Sequence, residues 1–122
     1  MNELTLSVTM TYSNPAANVK ANTVSFVDPI SIISSPAYER NVQVVTTSLV
    51  PLSLALITTL GYIAMHNADP VQPVAIYLNT TDTGSLLLNA GEWLVVRFNP
   101  ACVPQVICSA GSPMLEYYAI NN

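Results

Sequence analysis

The stretch formed by residues 84–100, GSLLLNAGEWLVVRFNP, constrains the fold more than any other part of the chain. Two apolar runs flank Asn89-Ala90-Gly91, and because Asn and Gly take positive φ at little cost, the chain can reverse there. In residues 93–98, apolar side chains occupy both odd and even positions, whereas a strand with one covered face alternates apolar and polar residues. We therefore predict a β-hairpin whose second arm is a central strand ended by Pro100. The residues of that arm expected among the most buried are Trp93, Leu94, Val95, Val96 and Phe98.

The rest of the chain reads as short strands separated by Gly, Pro and Asn. In the first of these, Leu4, Leu6, Val8, Met10 and Tyr12 alternate with Ser and Thr, which is typical of a half-buried strand. Further strands are expected at residues 24–27, 30–33, 41–49, 59–67 and 74–79, with a last hairpin formed by residues 103–109 and 114–120. The pattern predicts an all-β fold, an antiparallel two-sheet sandwich of jelly-roll type, in a single domain over residues 1–122.

Composition limits the partners that such a domain binds. Apolar residues make up 51% of the chain and charged residues 8%, and the net charge is −4. The only cations are Lys20, Arg40 and Arg97, so we expect no binding to nucleic acid or to anionic membrane, both of which need a basic surface. Because a surface so poor in charge repels other copies weakly, we expect a homo-oligomer, a dimer or a trimer.

The uncharged segment formed by residues 42–65 is long enough to cross a bilayer. It contains four threonines and two serines as well as Pro51 and Gly61, and no basic residue flanks its C-terminal end, so two strands joined by an apolar connection explain it better. In that connection Leu52, Leu54, Leu56 and Ile57 form a hypothetical interface with a sister subunit or a partner protein. The alternative is that these residues complete the core of their own chain.

The residues that usually carry chemistry are few. His66 is the only histidine, which is too few for a metal site built on several imidazoles, and it lies beside a turn. Almost all of the carboxylates that a hydrolase would need border Pro or Gly turns, where capping explains them equally well; the candidates are Asp28, Asp69, Asp82, Glu92 and Glu116. We therefore expect no enzyme, no cofactor and no metal. Cys102 and Cys108 are expected as free thiols, since the N-terminus lacks the features of a signal peptide.

Arg97 and the aromatic residues are the remaining candidates. Because a buried guanidinium needs a partner, we predict a structural ion pair of Arg97 with Glu116, with Asp82 as the alternative. Aromatic side chains on strands either pack inside or form a platform for sugar rings, and both interpretations stay open for Tyr62, Tyr77, Trp93, Tyr117 and Tyr118.

From about Val42 onwards, a series of short motifs follows one order. The motifs are Val45-Thr46-Thr47, Thr59-Leu60-Gly61-Tyr62, Asn67-x-Asp69, the Leu-x-Ala-Gly-Glu of residues 88–92, the Arg-x-x-Pro of residues 97–100, and Glu116-Tyr117. In this order the chain resembles small virion proteins of tailed bacteriophages, the capsid decoration or cement class. The resemblance implies no catalytic residue. Residues 52–57 are more apolar than the corresponding connection of that class.

The function implied by the resemblance is that of a structural virion protein. Such a protein binds the major capsid protein, stabilises the head, lies on the capsid surface and is made in the host cytoplasm. The alternative, from a different class, is a carbohydrate- or receptor-binding module of a viral fibre or a cell-surface assembly.

Overall fold

A computed structural model describes residues 2–14, 19–32, 38–79 and 85–121. In this part the chain forms ten β-strands and no helix, which confirms the all-β prediction. The strands are β1 (Asn2–Asn14), β2 (Val19–Ile32), β3 (Tyr38–Val44), β4 (Val50–Pro51), β5 (Leu60–Asn67), β6 (Val74–Tyr77), β7 (Ser85–Leu88), β8 (Trp93–Arg97), β9 (Gln105–Cys108) and β10 (Met114–Asn121). Among the described residues, no helix has the length and apolarity needed to cross a membrane.

The chain divides into two compact units, Met1–Ile33 and Ser34–Asn122. In the first unit β1 and β2 form an antiparallel sheet of two strands, and Thr5, Ser7 and Thr9 are exposed, as the alternation predicted. The separation of the strands expected at residues 24–27 and 30–33 is wrong, because β2 continues through Asp28 and Pro29, with Pro29 opposite Thr5. An edge strand tolerates a proline, since one side of its backbone has no strand to bond. Our single-domain prediction had placed these strands in the sandwich, whereas here they pair with each other.

The second unit is a sandwich of two antiparallel sheets of four strands each. The first sheet has the order β3-β10-β5-β8 and the second sheet has the order β4-β9-β6-β7. The pairs β3–β10, β4–β9, β5–β8 and β6–β7 are nested one inside the other, as in one long hairpin that has been rolled up. This nesting is the jelly-roll arrangement, which confirms the predicted architecture.

Alternating side chains of both sheets fill the space between them. On β5 and β10 every second residue is buried, so Ile63 and Met65 meet Leu115 and Tyr117 inside the sandwich. The second sheet contributes apolar residues from its central strands, which are Val74, Ile76, Val106 and Cys108. The core is thus shared by both sheets.

Two turns that the sequence marks as hairpins carry the chain from one sheet to the other. Gly91 has a φ of 75° and Gly111 a φ of 73°, so the chain reverses at both places through conformations that favour glycine. However, β7 and β8 belong to different sheets, and so do β9 and β10. Both predicted hairpin pairings are therefore wrong, because turn residues specify a reversal and not the strand that receives its backbone hydrogen bonds.

The predicted central position of β8 is also wrong. This strand lies at the edge of the first sheet and pairs with β5. Trp93 is 56% exposed and Val95 is also exposed, while Leu94 and Val96 are half-buried and only Phe98 is fully in the core. The side chains at even positions of the strand face the core, and those at odd positions form part of an apolar outer surface.

The connection formed by residues 52–57, which we call the 52–57 turn, lies mostly against the core of its own chain. Leu52 and Ile57 are buried and Leu54 packs against the core. These three residues therefore complete the core of their own chain, which was the alternative to the interface hypothesis. Leu56, in contrast, is 64% exposed. The segment is therefore apolar mainly because its side chains complete the core. Leu56 is its one leucine that faces solvent.

Polar side chains on the inner side of β3 hold the 52–57 turn in place. The carboxylate of Glu39 accepts a hydrogen bond from the backbone N–H of Leu56 at 2.9 Å. The side-chain oxygen of Gln43 accepts one from the N–H of Ser53 at 2.8 Å, and the Tyr117 hydroxyl donates to the Ser53 carbonyl. These contacts satisfy backbone groups that would otherwise be unpaired beside the core.

Candidate binding face

The outer side of the first sheet carries the most unusual surface of the described residues. The register aligns the outward positions of its four strands in three rows. We call this surface the outer aromatic face. It consists of Tyr38, Arg40 and Val42 on β3, Glu116, Tyr118 and Ile120 on β10, Tyr62, Ala64 and His66 on β5, and Trp93, Val95 and Arg97 on β8.

The composition of the outer aromatic face differs from that of an ordinary solvated sheet. The outer side of an antiparallel sheet is normally polar, and it alternates with an apolar inner side. Here four of the twelve positions are Tyr or Trp and one is a carboxylate, and no lysine is present. Four large apolar side chains at the two edge strands are about half exposed; these are Tyr38, Val42, Trp93 and Val95. An apolar patch of this kind is typical of a binding surface.

The rings of the outer aromatic face contact one another in a continuous series. His66 and Trp93 are stacked with their ring centroids 4.5 Å apart and an angle of 12° between the ring planes. Trp93 contacts Tyr118 with a centroid distance of 6.4 Å, and Tyr118 contacts Tyr38 at 6.5 Å. The series therefore extends across the whole sheet, from the β8 edge to the β3 edge.

Both arginines of the chain lie on this face, each over a tyrosine ring. The guanidinium carbon of Arg40 is 5.3 Å from the centroid of Tyr118, and that of Arg97 is 5.4 Å from the centroid of Tyr62. A cation at this distance is attracted by the electron-rich face of the ring. The two contacts hold the positive charges close to the sheet, at its opposite edges.

The structure does not bring Arg97 and Glu116 together. Arg97 is opposite Tyr62 in one outer row, whereas Glu116 is opposite His66 in the row furthest from it, with the β5 strand between. The predicted pairing of Arg97 with Glu116 is therefore wrong, because the partner was chosen from the alternation of side chains along the strand while the register was unknown; the alternative partner, Asp82, lies outside the described residues.

Glu116 interacts with His66, its neighbour across the β10–β5 pair. The imidazole Nδ1 lies 3.2 Å from a Glu116 carboxylate oxygen. An ionised carboxylate only accepts hydrogen bonds, so Nδ1 carries the hydrogen. Because Trp93 stacks on the same imidazole, the hydrogen bond and the stack together fix the orientation of three side chains.

Other carboxylates have the capping roles that the sequence suggested. Asp69 accepts hydrogen bonds from the N–H groups of Val71 and Gln72, and these two bonds lower the pKa of its carboxyl group. Glu92 accepts a hydrogen bond from the N–H of Asn89 at 2.8 Å. Asp82 and the side chain of Asp28 lie outside the part that the structure describes. Within that part, no three His, Cys, Asp or Glu side chains form a group that could hold a metal ion.

The remaining candidates are separated by the fold. Of the aromatic residues proposed for a platform, Tyr62, Trp93 and Tyr118 share the outer aromatic face, whereas Tyr117 is fully buried and Tyr77 lies on the second sheet. Cys102 is half-buried and Cys108 is buried, and both thiols are free.

Sequence reasoning missed the contribution of β3 to this surface. Along β3, Tyr38, Arg40 and Val42 point outward and are exposed, while Glu39 is buried and Gln43 is partly buried. This polarity is the reverse of the usual pattern, because the inner side of β3 binds backbone groups of the 52–57 turn. The available signal was the alternation itself, which marks two faces without saying which one is inside.

Comparison with known proteins gives no relative: the chain matches no protein family, and no characterised protein matches it in sequence.

Proposed function

We propose that the chain is a structural virion protein of the capsid decoration class, which binds the major capsid protein and stabilises the head. In this proposal the protein is made in the host cytoplasm and lies on the capsid surface. The order of motifs described above supports the class. The outer aromatic face supports the mode of action, because it is suited to binding a protein surface.

The residue types of the outer aromatic face are those that contribute most to protein–protein interfaces. Tyr, Trp and Arg are enriched at interface centres, while Lys, Glu, Asp and Ser are depleted there. Stacking of His66 on Trp93 and the positions of the arginines over tyrosine rings restrict side-chain motion before binding. Less conformational entropy is then lost when a partner covers the face.

The size of the face favours a weak contact that is repeated many times. Four strands about 4.8 Å apart and three rows about 7 Å apart give a footprint of roughly 400 Å². A stable interface covers about 800 Å² of each partner, so one such face binds weakly by itself. On a capsid lattice many identical copies bind side by side, and multivalency compensates for a weak single contact.

The charge of the face predicts the character of the partner surface. Arg40 is an exposed cation at the β3 edge of this face, and Glu116 is the one carboxylate among the described residues of the face. The complementary surface is therefore acidic as well as apolar. We expect binding to weaken as salt is added, because Arg40 lies at the rim and its charge is screened.

Mass spectrometry of purified virions of the virus that encodes the chain tests this proposal. We expect a copy number close to that of the major capsid protein, and we expect the purified protein to bind heads that lack it. The double variant Arg40→Ala with Trp93→Ala should lose this binding while it stays folded. Val103→Ala, which changes an exposed apolar residue elsewhere, is the matched control. Absence of the protein from virions would refute the proposed function.

A carbohydrate-binding module is the second candidate, and the exposed stack of Trp93 on His66 is the observation that favours it. Sugar rings bind to the faces of exposed aromatic rings. Against it, the guanidinium groups occupy ring faces of Tyr62 and Tyr118 that a sugar would need. A glycan array separates the two candidates: binding that is lost in Trp93→Ala supports the module.

A further inference from the structure

One row of the outer aromatic face places an imidazole between a carboxylate and an indole. In the register, His66 on β5 lies opposite Glu116 on β10 and opposite Trp93 on β8. The imidazole Nδ1 is 3.2 Å from a Glu116 carboxylate oxygen, and the imidazole and indole rings are stacked with their centroids 4.5 Å apart. The side chains of His66 and Glu116 are 23% and 35% exposed, so both exchange protons with solvent. A change of charge on the imidazole therefore acts on both of its neighbours.

Glu116 is the charged group that faces His66 among the described residues. The remaining charged or titratable members of the outer aromatic face lie in its two other rows; these are Tyr38, Arg40, Tyr62, Arg97 and Tyr118. The carboxylates in the turns that follow β5 and precede β8, Asp69 and Glu92, accept hydrogen bonds from backbone N–H groups of their own turns. The immediate surroundings of the imidazole are thus one carboxylate and one uncharged ring.

Protonation of the imidazole changes both of its contacts. Carboxyl and phenol groups ordinarily titrate outside the range from pH 5 to pH 8, whereas an imidazole gains its proton within that range. Because Nδ1 of His66 already carries a hydrogen, the added proton binds Nε2. The hydrogen bond to Glu116 then joins two opposite charges, and the indole of Trp93 has a cation stacked on its face. Both contacts become stronger with the rings in the same positions.

We propose that His66 makes the outer aromatic face responsive to pH. At mildly acidic pH its protonation adds a positive charge to the face and tightens the row formed by Glu116, His66 and Trp93. At alkaline pH the ring is neutral, and the charge of Glu116 is no longer balanced by its neighbour. An acidic partner surface is then bound less tightly, by roughly two- to fivefold, which is the contribution of one exposed ion pair. This effect on capsid binding rests on the proposed function, whereas the pH response of the face does not.

The fluorescence of Trp93 tests the proposal directly, because Trp93 is the only tryptophan of the chain. An imidazolium stacked on an indole quenches its emission more strongly than a neutral imidazole does, because the cation accepts charge from the excited ring. We expect the wild-type emission, excited where tyrosine does not absorb, to lose intensity as the pH is lowered from 8 to 5. His66→Gln keeps a polar side chain without a titrating group, so its emission should stay constant. Constant emission in the wild type, or the same loss in His66→Gln, would overturn the proposal.

Two variants of Glu116 test whether this carboxylate holds the imidazole over Trp93. Glu116→Ala removes the acceptor of the Nδ1 hydrogen, so the ring leaves the stack for part of the time and the loss of emission should be smaller than in the wild type. Glu116→Gln keeps an oxygen that accepts this hydrogen, so it should restore most of the loss. Circular dichroism checks that both variants are folded. An undiminished loss in folded Glu116→Ala would contradict the positioning role of Glu116.

Binding to heads that lack the protein, measured at pH 8 and at pH 5, tests the consequence for the proposed function. Wild-type protein should bind roughly two- to fivefold more tightly at pH 5, whereas His66→Gln should bind equally at both values. Equal binding of the wild type at both pH values would overturn the regulation and leave capsid binding itself intact. Absence of the protein from virions would refute the proposed function and leave the fluorescence result intact.

Discussion

The buried side chain of Asn67 joins three segments near one end of the sandwich. Its amide nitrogen donates to the carbonyls of Gln72 at 2.8 Å and Leu88 at 3.1 Å, and its amide oxygen accepts from the N–H of Asp69 at 3.1 Å. Its backbone also bonds to Gly91 and Glu92 across the turn that leads into β8. One residue at the end of β5 thus fixes two turns and the end of β7.

Replacing Asn67 by alanine should lower the free energy of unfolding by about 2–4 kcal/mol, because each buried partner left without a hydrogen bond costs about 1–3 kcal/mol. Urea denaturation measures this loss. Asn99→Ala is the control: Asn99 is exposed and caps a single turn through the N–H of Ala101, so its loss should stay near 0.5–1 kcal/mol. Equal losses in the two variants would contradict the role assigned to Asn67.

Tyr117 makes the free energy of unfolding depend on pH in the alkaline range. Burial raises the pKa of its hydroxyl above the ordinary value of 10.0, and the nearby Glu39 carboxylate raises it further. A folded-state pKa above the unfolded one means that the native state holds the proton more tightly. The resulting stability is fully present below pH 10 and is lost as pH rises through the folded-state pKa.

The variant Tyr117→Phe isolates this effect. At neutral pH the variant should be less stable than the wild type, because the hydrogen bond to the Ser53 carbonyl is lost. Above pH 10 the difference should shrink, since the wild type loses its tyrosine contribution and the variant has none to lose. Denaturant midpoints of both proteins at pH 8 and at pH 11 test whether this difference in stability shrinks. A difference that grows with pH would contradict it.

At the scale of elements, β8 shows how one strand contributes to both the core and the outer aromatic face. Phe98, directly after the strand, is 3% exposed, whereas Trp93 at its start is 56% exposed. Phe98→Ala should therefore cost about 3–5 kcal/mol of stability. Trp93→Ala should cost about 1 kcal/mol, because more than half of its side chain already contacts water. Thermal or chemical unfolding of the two variants measures the contrast, and a larger loss for Trp93 would show that the outer aromatic face is covered.

The positions of strands and turns could be predicted from the sequence, but their partners could not. The strand β1 and the reversals at Gly91 and Gly111 follow from local preferences, and all three occur where they were expected. The pairing of β8 with β5, in contrast, depends on contacts between residues about thirty positions apart, which no local pattern encodes. The reversed polarity of β3 has the same origin, because it follows from hydrogen bonds to the distant 52–57 turn.

The binding face was predictable only in its parts. Trp93, Tyr62, Tyr118 and Arg97 were candidates from their residue types, yet nothing local places them side by side. Their common surface results from the order β3-β10-β5-β8 and from the register of three strand pairs. Residue chemistry thus identified candidate side chains, and topology decided which of them share a face.

For the whole molecule, the division into two units predicts that residues 34–122 fold without residues 1–33. All eight strands of the sandwich and the described core lie in the second unit. The shortened chain should show a β-type circular dichroism spectrum and a single cooperative unfolding transition. A peptide of residues 1–33 should be largely unfolded in water, since an isolated two-stranded hairpin is marginally stable. A shortened chain without cooperative unfolding would show that the first unit is needed for the sandwich.

The central place of β10 has a consequence for synthesis on the ribosome. β10 lies between β3 and β5, so the first and third strands of the sandwich lack their common neighbour until β10 has been translated. Before that moment the nascent chain exposes the inner sides of strands that later meet β10, and such surfaces aggregate readily. Folding of the sandwich therefore waits for the translation of β10, and the waiting chain is a natural substrate for chaperones that shield apolar strands. A chain that stops before β10 would contain seven of the eight sandwich strands and would have no folded sandwich.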